Sequence, residues 1–190
     1  MAGKINSKLL QKEIFNNKRV KNRIFRQVNK EIQKEKMLLI KEFSQHPVTQ
    51  EIESGESASN ISGTLGGYGN LFTFLGFSKG SNPVSVVKSL LLSIQLSNKF
   101  KFKNRSFSFT LLAPSKKELE TATKLPWERG RSWLFDIEKS ISGLGAYLYG
   151  RFIQSRSGGG IQVFNYSGRS FRPVNYFNNM YNKFFARLSK

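Results

Sequence analysis

Side chains able to perform acid–base, nucleophilic or metal chemistry are scarce in this sequence. Its 190 residues include one His, one Asp and no Cys, which excludes disulfides, thiolate nucleophiles and thiolate zinc sites. General acid–base catalysis needs titratable groups in matched environments. His46 stands directly before Pro47 at the end of a helical pattern. A lone histidine in that place is far more often a cap or a packing residue than a catalytic base.

One short segment brings carboxylates together. Asp136 and Glu138 lie two residues apart, with Glu128 upstream, and paired carboxylates can bind metal or cleave glycosidic bonds. The same segment holds three basic residues, Arg129, Arg131 and Lys139. Ion pairing is therefore the simpler interpretation. Since no nucleophile–base pair, metal-ligand spacing or Gly-Xaa-Ser-Xaa-Gly sequence occurs, we expect a non-enzymatic protein without catalytic residues, metal or cofactor.

Three glycine-rich segments are candidates for phosphate binding. Residues 61–70 lack the lysine and the spacing of a P-loop, and they do not open a helix after a strand as a dinucleotide site would. Residues 142–145 and 155–160 are typical of a turn and a loop. For the last segment the functional alternative is a phosphate contact made by Arg151 and Arg156, because such loops often order only on binding a partner.

The charge balance points to an anionic partner. The chain has 31 basic and 12 acidic residues, a formal charge of +19 and a pI near 10.3, and such a field raises the local concentration of polyanions without identifying them. Five basic residues crowd together near the start: Lys18, Arg19, Lys21, Arg23 and Arg26. On a helix, Arg19, Arg23 and Arg26 lie close together. This face is either a solvated polar face or a phosphate- or partner-binding face, and the near absence of acids favours binding.

A long amphipathic helix is predicted to carry these residues. Residues 4–44 contain no Gly or Pro, and apolar residues recur through them at helical spacing. Roughly 40 residues span about 60 Å at 1.5 Å each, so part of the helix should project. The residue before Pro47 ends it. A polar loop, residues 49–62, is expected next, and its acids, Glu51, Glu53 and Glu56, should pair with the basic helix or, alternatively, offer a docking strip to a basic neighbour.

The rest of the sequence predicts an α+β domain. Strands are indicated at residues 68–77, 133–137, 146–153 and 161–166, with a helix as the alternative for the second of them. A hairpin at residues 99–112 alternates Phe with Lys or Ser, and we expect its aromatics in the core and not on a nucleic-acid stacking platform, which would need lysines on the same face. The four aromatics are Phe100, Phe102, Phe107 and Phe109.

Helices complete this expected architecture. One starts at Pro83 and runs to about residue 96, a second follows the capping box of Ser115 and Glu118, and a terminal one follows Pro173 with a bulky aromatic face. The predicted fold is thus a long N-terminal helix, a mostly antiparallel β-sheet flanked by helices, and a C-terminal helix. We divide it into a projecting basic amphipathic helix (1–45), a Gly-rich loop and strand (46–82), and the remainder of a single α+β domain (83–190).

The order of these features resembles the neck and tail-completion proteins of tailed bacteriophages. The similar parts are the leading helix, the Gly63-Thr64-Leu65 turn into a strand, and a closing helix introduced by Arg172-Pro173. Residues 127–143 also look like the segment where the family has an aromatic strand leading to a Glu-Xaa-Gly turn. The 40-residue leading helix and Ser140 depart from the family pattern, which leaves the exact position in the virion open.

The resemblance implies a structural virion protein, assembled in the host cytoplasm, that forms a homo-oligomeric ring at the head–tail junction around the DNA channel. The implied partners are neighbouring rings, namely the portal or adaptor and the tail tube or terminator, and the basic helix would face either genomic DNA or an acidic neighbouring ring. Five residues are the expected interface loop: Thr64, Leu65, Gly66, Gly67 and Tyr68.

Composition independently favours a multi-subunit setting. Seventeen Phe among 190 residues exceed what one small core easily absorbs, and surplus exposed apolar surface usually marks interfaces. The alternative function is a general nucleic-acid-binding protein associated with the ribosome or nucleoid; an enzyme acting on nucleic acid ranks below both. No apolar run reaches 18 residues and no apolar stretch of signal-peptide length opens the chain, so we expect no contact with a membrane.

Overall fold

A computed structural model describes residues 17–66, 69–103, 106–126, 130–139 and 174–189. Within these residues the protein is a mixed α+β structure with a long N-terminal helix, a two-stranded antiparallel sheet and a C-terminal helix. The helices are α1 Lys18–Gln45, α2 Pro47–Glu53, α3 Leu71–Phe74, α4 Pro83–Leu92, α5 Lys116–Ala122, α6 Trp133–Lys139 and α7 Phe177–Leu188. The strands are β1 Gln95–Lys103 and β2 Ser106–Leu112.

Helix α1 begins at a side-chain cap, since Asn17 Oδ1 accepts a hydrogen bond from the Arg19 N–H at 2.9 Å. Its second half supplies core residues, with Ile32, Leu39 and Phe43 buried. Before Ile32, none of its described side chains is fully buried. The helix ends at His46 as predicted, and the two halves therefore differ in role: one builds the core and the other extends beyond it.

The core forms where the two ends of the described chain meet. Phe43 of α1 packs edge-on against Phe177 of α7, with ring centroids 5.9 Å apart, and Phe135 of α6 packs against the same ring at 5.7 Å. On another side of the core, Trp133 of α6 packs edge-on against Phe77, with ring centroids 5.9 Å apart. Helix α7 has the predicted aromatic face, although it starts at Phe177, four residues after Pro173.

The hairpin predicted at residues 99–112 is confirmed and is longer than expected, pairing Gln95 with Leu112 and Phe102 with Phe107. Its aromatic residues are less buried than predicted. Phe107 and Phe109 are half-buried and lie outside the central core, because Phe109 packs on Phe25 in the first half of α1, where no described side chain is fully buried. The side chains of Phe100 and Phe102 lie outside the described set.

The strand predicted at residues 68–77 is wrong where the structure describes it. Residues 71–74 form the short helix α3, because Asn70 Oδ1 accepts the Thr73 N–H at 2.9 Å and caps a helical turn. Gly69 precedes the cap with φ +68°, a conformation that favours glycine and ends any extended run. Since Leu71, Phe72 and Leu75 are all buried, the apolar run lacks the periodicity that separates helix from strand.

The strand preferred for residues 133–137 is also wrong, and the helix alternative is observed as α6. The Ser132 N–H donates to Asp136 Oδ2 at 3.2 Å, a local bond that a strand cannot make. All residues from Trp133 to Ile137 are buried. The alternation of Trp133, Phe135 and Ile137 therefore reflects burial on every side and not a sheet face.

The polar loop predicted at residues 49–62 is partly helical, containing α2 and a short 3-10 turn at Gly55–Ser57. Its acids do not pair with the basic helix as expected. Glu53 binds Lys88 Nζ at 2.5 Å and Glu56 binds Lys79 Nζ at 2.9 Å, both on elements that follow the loop, because α2 turns back onto α4. The predicted strands at 146–153 and 161–166, and the loop at 155–160, lie outside the described residues.

Candidate functional site

A stripe of basic side chains runs along the exposed side of α1. At about 100° per residue, its members fall within roughly 80° of arc, opposite the buried face of the helix. We call Arg19, Arg23, Arg26, Lys30 and Lys34 the cationic stripe. All five are exposed. The first four make no ion pair or side-chain hydrogen bond with any described residue, so their charge is available to a partner.

Two of the three acidic residues of α1, Glu35 and Glu42, lie on a flank of the helix away from the stripe and near Arg187. Glu42 Oε1 accepts a hydrogen bond from Arg187 Nη1 at 3.1 Å, and Glu35 Oε2 lies 2.6 Å from Arg187 Nε, close enough for an ion pair although not aligned as a hydrogen bond. Glu31 lies 3.9 Å from Lys34 in an exposed pair, a weak interaction. Most positive and negative charges thus lie on different sides of α1. The acidic residues therefore leave most of the positive charge of the stripe unneutralised.

The remaining two predicted basic residues of α1 lie away from the stripe. Lys18 is exposed in the first turn. Lys21 is half-buried, one helical turn before Phe25 and on the same face. Phe25 packs against Phe109 of β2 with ring centroids 6.4 Å apart. The sequence interpretation that grouped all five residues is therefore refined: three belong to the stripe, and Lys18 and Lys21 lie on other sides of α1.

Contact between Phe25 and Phe109 places the hairpin against the first half of α1. Lys99 and Lys101 are exposed on β1, and Ser108 stands across from Lys101. We name residues 17–30 together with residues 95–112 the cationic arm. These two segments contain ten of the 31 basic residues and none of the 12 acidic ones. The arm therefore has basic residues on both its helix and its hairpin, with an aromatic layer between them.

A buried carboxylate accepts hydrogen bonds from the backbone on both sides of the expected interface loop. Glu51 is fully buried; Oε2 accepts the Ser62 N–H and Oε1 the Leu71 N–H, both at 2.7 Å. Between these anchors the side chain of Leu65 is buried, Thr64 is half-buried and Gly66 is exposed. Four further predicted site residues lie outside the described part of the chain: Gly67, Tyr68, Arg151 and Arg156.

His46 has the structural role predicted for it. Its Nδ1 accepts the Val48 N–H at 3.3 Å and caps α2, which leaves the proton on Nε2 to donate to the Asn175 carbonyl at 3.1 Å. Burial lowers the pKa of His46 more than the bond to Asn175 raises it, so the neutral ring is favoured. An open groove of about 450 Å³ beside it, lined also by Lys183, separates the end of α1 from α7.

Two carboxylates singled out in the sequence, Asp136 and Glu138, make ion pairs or hydrogen bonds that stabilise the fold. Asp136 accepts from Lys139 Nζ at 2.9 Å and lies 3.5 Å from Arg131 Nε, as ion pairing predicted. Glu138 Oε1 accepts the Asn178 N–H at 2.6 Å, and Oε2 accepts from the Asn178 side chain. Burial raises the pKa of Glu138 despite these bonds. Glu128 lies outside the described residues.

The described residues contain neither a group of metal-ligating side chains nor a membrane-spanning helix. No three His, Cys, Asp or Glu side chains come together there in an arrangement that could hold a metal ion. None of the helices in that part of the chain is long and apolar enough to cross a membrane.

Sequence reasoning missed part of the stripe and all of the arm. Lys30 and Lys34 continue the spacing of Arg23 and Arg26 at intervals of three or four residues, and that spacing was the signal available. The hairpin's place beside α1 depends on the contact of Phe25 with Phe109, which no local pattern encodes. Comparison of the chain with protein-family models, with curated proteins and with solved structures gives no match.

Proposed function

We propose that this protein is a non-enzymatic structural component of a tailed-phage virion, forming an oligomeric ring at the head–tail junction around the DNA channel. The observation that carries the proposal is the partial exposure of the aromatic layer of the cationic arm. Phe25, Phe107 and Phe109 are all half-buried, so part of each large apolar side chain remains exposed. A neighbouring subunit placed against the arm would cover this exposed part, and exposed apolar surface commonly marks such interfaces.

Other features agree with assembly. Leu112, at the base of the arm, is 47% exposed on the face of β2 opposite to Phe107 and Phe109, so the arm has exposed apolar surface on that face as well. Glu51 fixes the backbone on both sides of the interface loop, at Ser62 and Leu71, and Gly66 within it is exposed, a form suited to docking on a neighbour. The order of leading helix, Gly-Thr-Leu turn and closing helix supplies the similarity to neck and tail-completion proteins, although α3 follows the turn where that family has a strand.

The test is the mass of the purified protein in solution. Native mass spectrometry, with negative-stain microscopy of the same sample, should find a closed ring of several subunits. Phe107→Ser should shift the mass to the monomer because it removes half-buried aromatic surface from the arm. Phe185→Ser is the matched control, since Phe185 is an exposed aromatic on α7 away from the arm. A monomer at all concentrations, with or without its neighbours, would contradict the ring.

The alternative function is that of a general nucleic-acid-binding protein of the ribosome or nucleoid, and the cationic stripe is the observation that favours it. Such a protein would coat nucleic acid as a monomer and would need no self-association. The two functions therefore differ in oligomeric state, and both can bind polyanions. Rings seen in the absence of nucleic acid support the structural role; monomers that bind only along nucleic acid support the alternative.

A further inference from the structure

We propose that the cationic stripe binds the phosphate backbone of duplex DNA without sequence preference. The inference rests on the proposed function, because it identifies the polyanion that the stripe meets in the assembled ring. Four of its members, Arg19, Arg23, Arg26 and Lys30, have no ion-pair partner among the described residues and lie in a region of α1 with no acidic residue.

The spacing of the stripe suits a regular array of charges. Consecutive members are three or four residues apart, which is about 4.5–6 Å of helix rise, and the stripe from Arg19 to Lys34 extends about 22 Å. Duplex DNA carries one negative charge per ~1.7 Å of axis and a dense counterion layer that basic residues displace. Three of the five members are arginines, which bind phosphate through paired N–H groups.

The side chains beside the stripe favour nucleic acid over an acidic protein. Asn22 and Gln27 are exposed next to it, and Asn, Gln, Arg and Lys are the usual side chains of DNA contacts. Protein interfaces instead centre on aromatic and apolar residues and are depleted in lysine. Between residues 17 and 34 no apolar side chain is exposed, and the first is Met37, with 57% exposed.

A membrane surface and single-stranded nucleic acid fit the arm less well. Interfacial helices insert an apolar face, but that face of α1 packs on the hairpin through Phe25 and on the core through Ile32 and Leu39. Single strands are held by bases stacked on open aromatic rings. Phe25 and Phe109 instead face each other between helix and hairpin. A helix with one polar, basic side matches the major groove of a duplex.

The test measures binding of the full-length protein to a labelled random-sequence DNA duplex by fluorescence anisotropy over a range of salt concentrations. The variant R19Q/R23Q/R26Q removes three stripe charges while keeping good helix formers. The control K117Q/K124Q/K183Q removes three exposed charges outside the arm. We expect the stripe variant to bind at least tenfold more weakly and to lose about 2–3 from the log–log salt slope, at ~0.9 per phosphate contact. The control should change affinity less than twofold.

Several outcomes would overturn the inference. Equal losses in both variants would mean that only net charge matters. Tighter binding to the matching single strand, to polyglutamate or to vesicles containing anionic lipid would assign the stripe to that partner instead. Native mass spectrometry of the same variants separates this result from the proposed function. A ring without stripe-dependent DNA binding refutes the inference alone, and stripe-dependent binding by a monomer refutes the ring alone.

Discussion

Glu51 is a buried carboxylate whose partners are backbone N–H groups and not a cation. Its two oxygens join Ser62 to Leu71 across the interface loop. A buried charge without such bonds would be strongly unfavourable. The carboxylate therefore needs the loop's N–H donors, and the loop needs the carboxylate as acceptor. The shape of the loop therefore depends on a residue outside it.

Replacement of Glu51 by Ala should destabilise the protein markedly. Two N–H groups lose their acceptor, and each unsatisfied buried group costs about 1–3 kcal/mol, so the free energy of unfolding should fall by about 2–5 kcal/mol in urea titrations. Glu120→Ala is the control, because that carboxylate lies 3.9 Å from Lys116 in an exposed pair, and should change stability by less than ~1 kcal/mol. Equal effects of the two substitutions would contradict the anchoring role.

Asp136 should make the stability depend on acid pH. Burial acts to raise its pKa, but the hydrogen bond and charge of Lys139, the charge of Arg131 and the Ser132 N–H together hold it below the ordinary 3.8. Because the folded pKa is the lower one, Asp136 contributes stability above pH 3.8 and loses it as the pH falls through the folded value. Asp136→Asn should flatten the acid limb of urea stability measured against pH. An unchanged limb would show that other carboxylates dominate it.

At the scale of elements, α1 meets α4 through a buried lysine. Lys36 Nζ donates to the carbonyls of Leu92 and Ile94 at 3.2 and 3.1 Å, at the end of α4 and just before β1. A positive charge at a helix C-terminus is favourable because the unpaired carbonyls there are negative. Lys36 therefore fixes the place where the hairpin leaves the core.

Lys36→Met should keep the packing of the side-chain stem but leave those carbonyls without a donor. We expect a loss of about 1–3 kcal/mol in the free energy of unfolding, together with faster hydrogen exchange at the base of the hairpin. Lys34→Met, two residues away on the exposed side of the same helix, should stay within about 0.5 kcal/mol. Similar exchange rates in both variants would contradict this role of Lys36.

The elements with clear periodicity were predictable from sequence. Helix α1 was indicated by its four-residue apolar spacing, the hairpin by Phe alternation, and α5 by the capping box of Ser115 and Glu118, which is observed with both of its hydrogen bonds. Helices α3 and α6 were not predictable, because they are buried on several sides and their sequences therefore lack a periodic apolar pattern. A short polar contact decided each of them, from Asn70 and from Asp136.

The candidate site divides in the same way. Arg19, Arg23 and Arg26 could be placed on one face from their spacing, because helical neighbours are three and four residues apart. The cationic arm could not be predicted from the sequence, since Phe25 and Phe109 are 84 residues apart in sequence and their contact is tertiary. The anchoring of the interface loop by Glu51 also could not be predicted, because acidic residues in a polar segment are normally solvated.

At the scale of the whole molecule, the last described helix completes the core begun by the first. Tyr176, Phe177 and Phe184 are fully buried. Arg187 lies within ion-pair distance of Glu35 and Glu42 on α1. One face of helix α7 is thus part of the core.

Deletion of residues 174–190 should prevent folding. Loss of a single buried Phe costs about 3–5 kcal/mol, and the deletion removes several large buried side chains from a domain whose total stability is of the order of 5–15 kcal/mol. Circular dichroism and proton NMR should show loss of the native fold. Deletion of residues 189–190 alone should leave the melting temperature nearly unchanged. A folded, cooperative protein lacking α7 would contradict this account of the core.

The position of α7 also affects how the chain is made. During synthesis the N-terminal residues leave the ribosome first, and α1 then has Leu39 and Phe43 uncovered while their partners on α7 are still untranslated. The core cannot close until residue 184 has emerged. The nascent chain therefore exposes apolar surface on α1 for most of its translation.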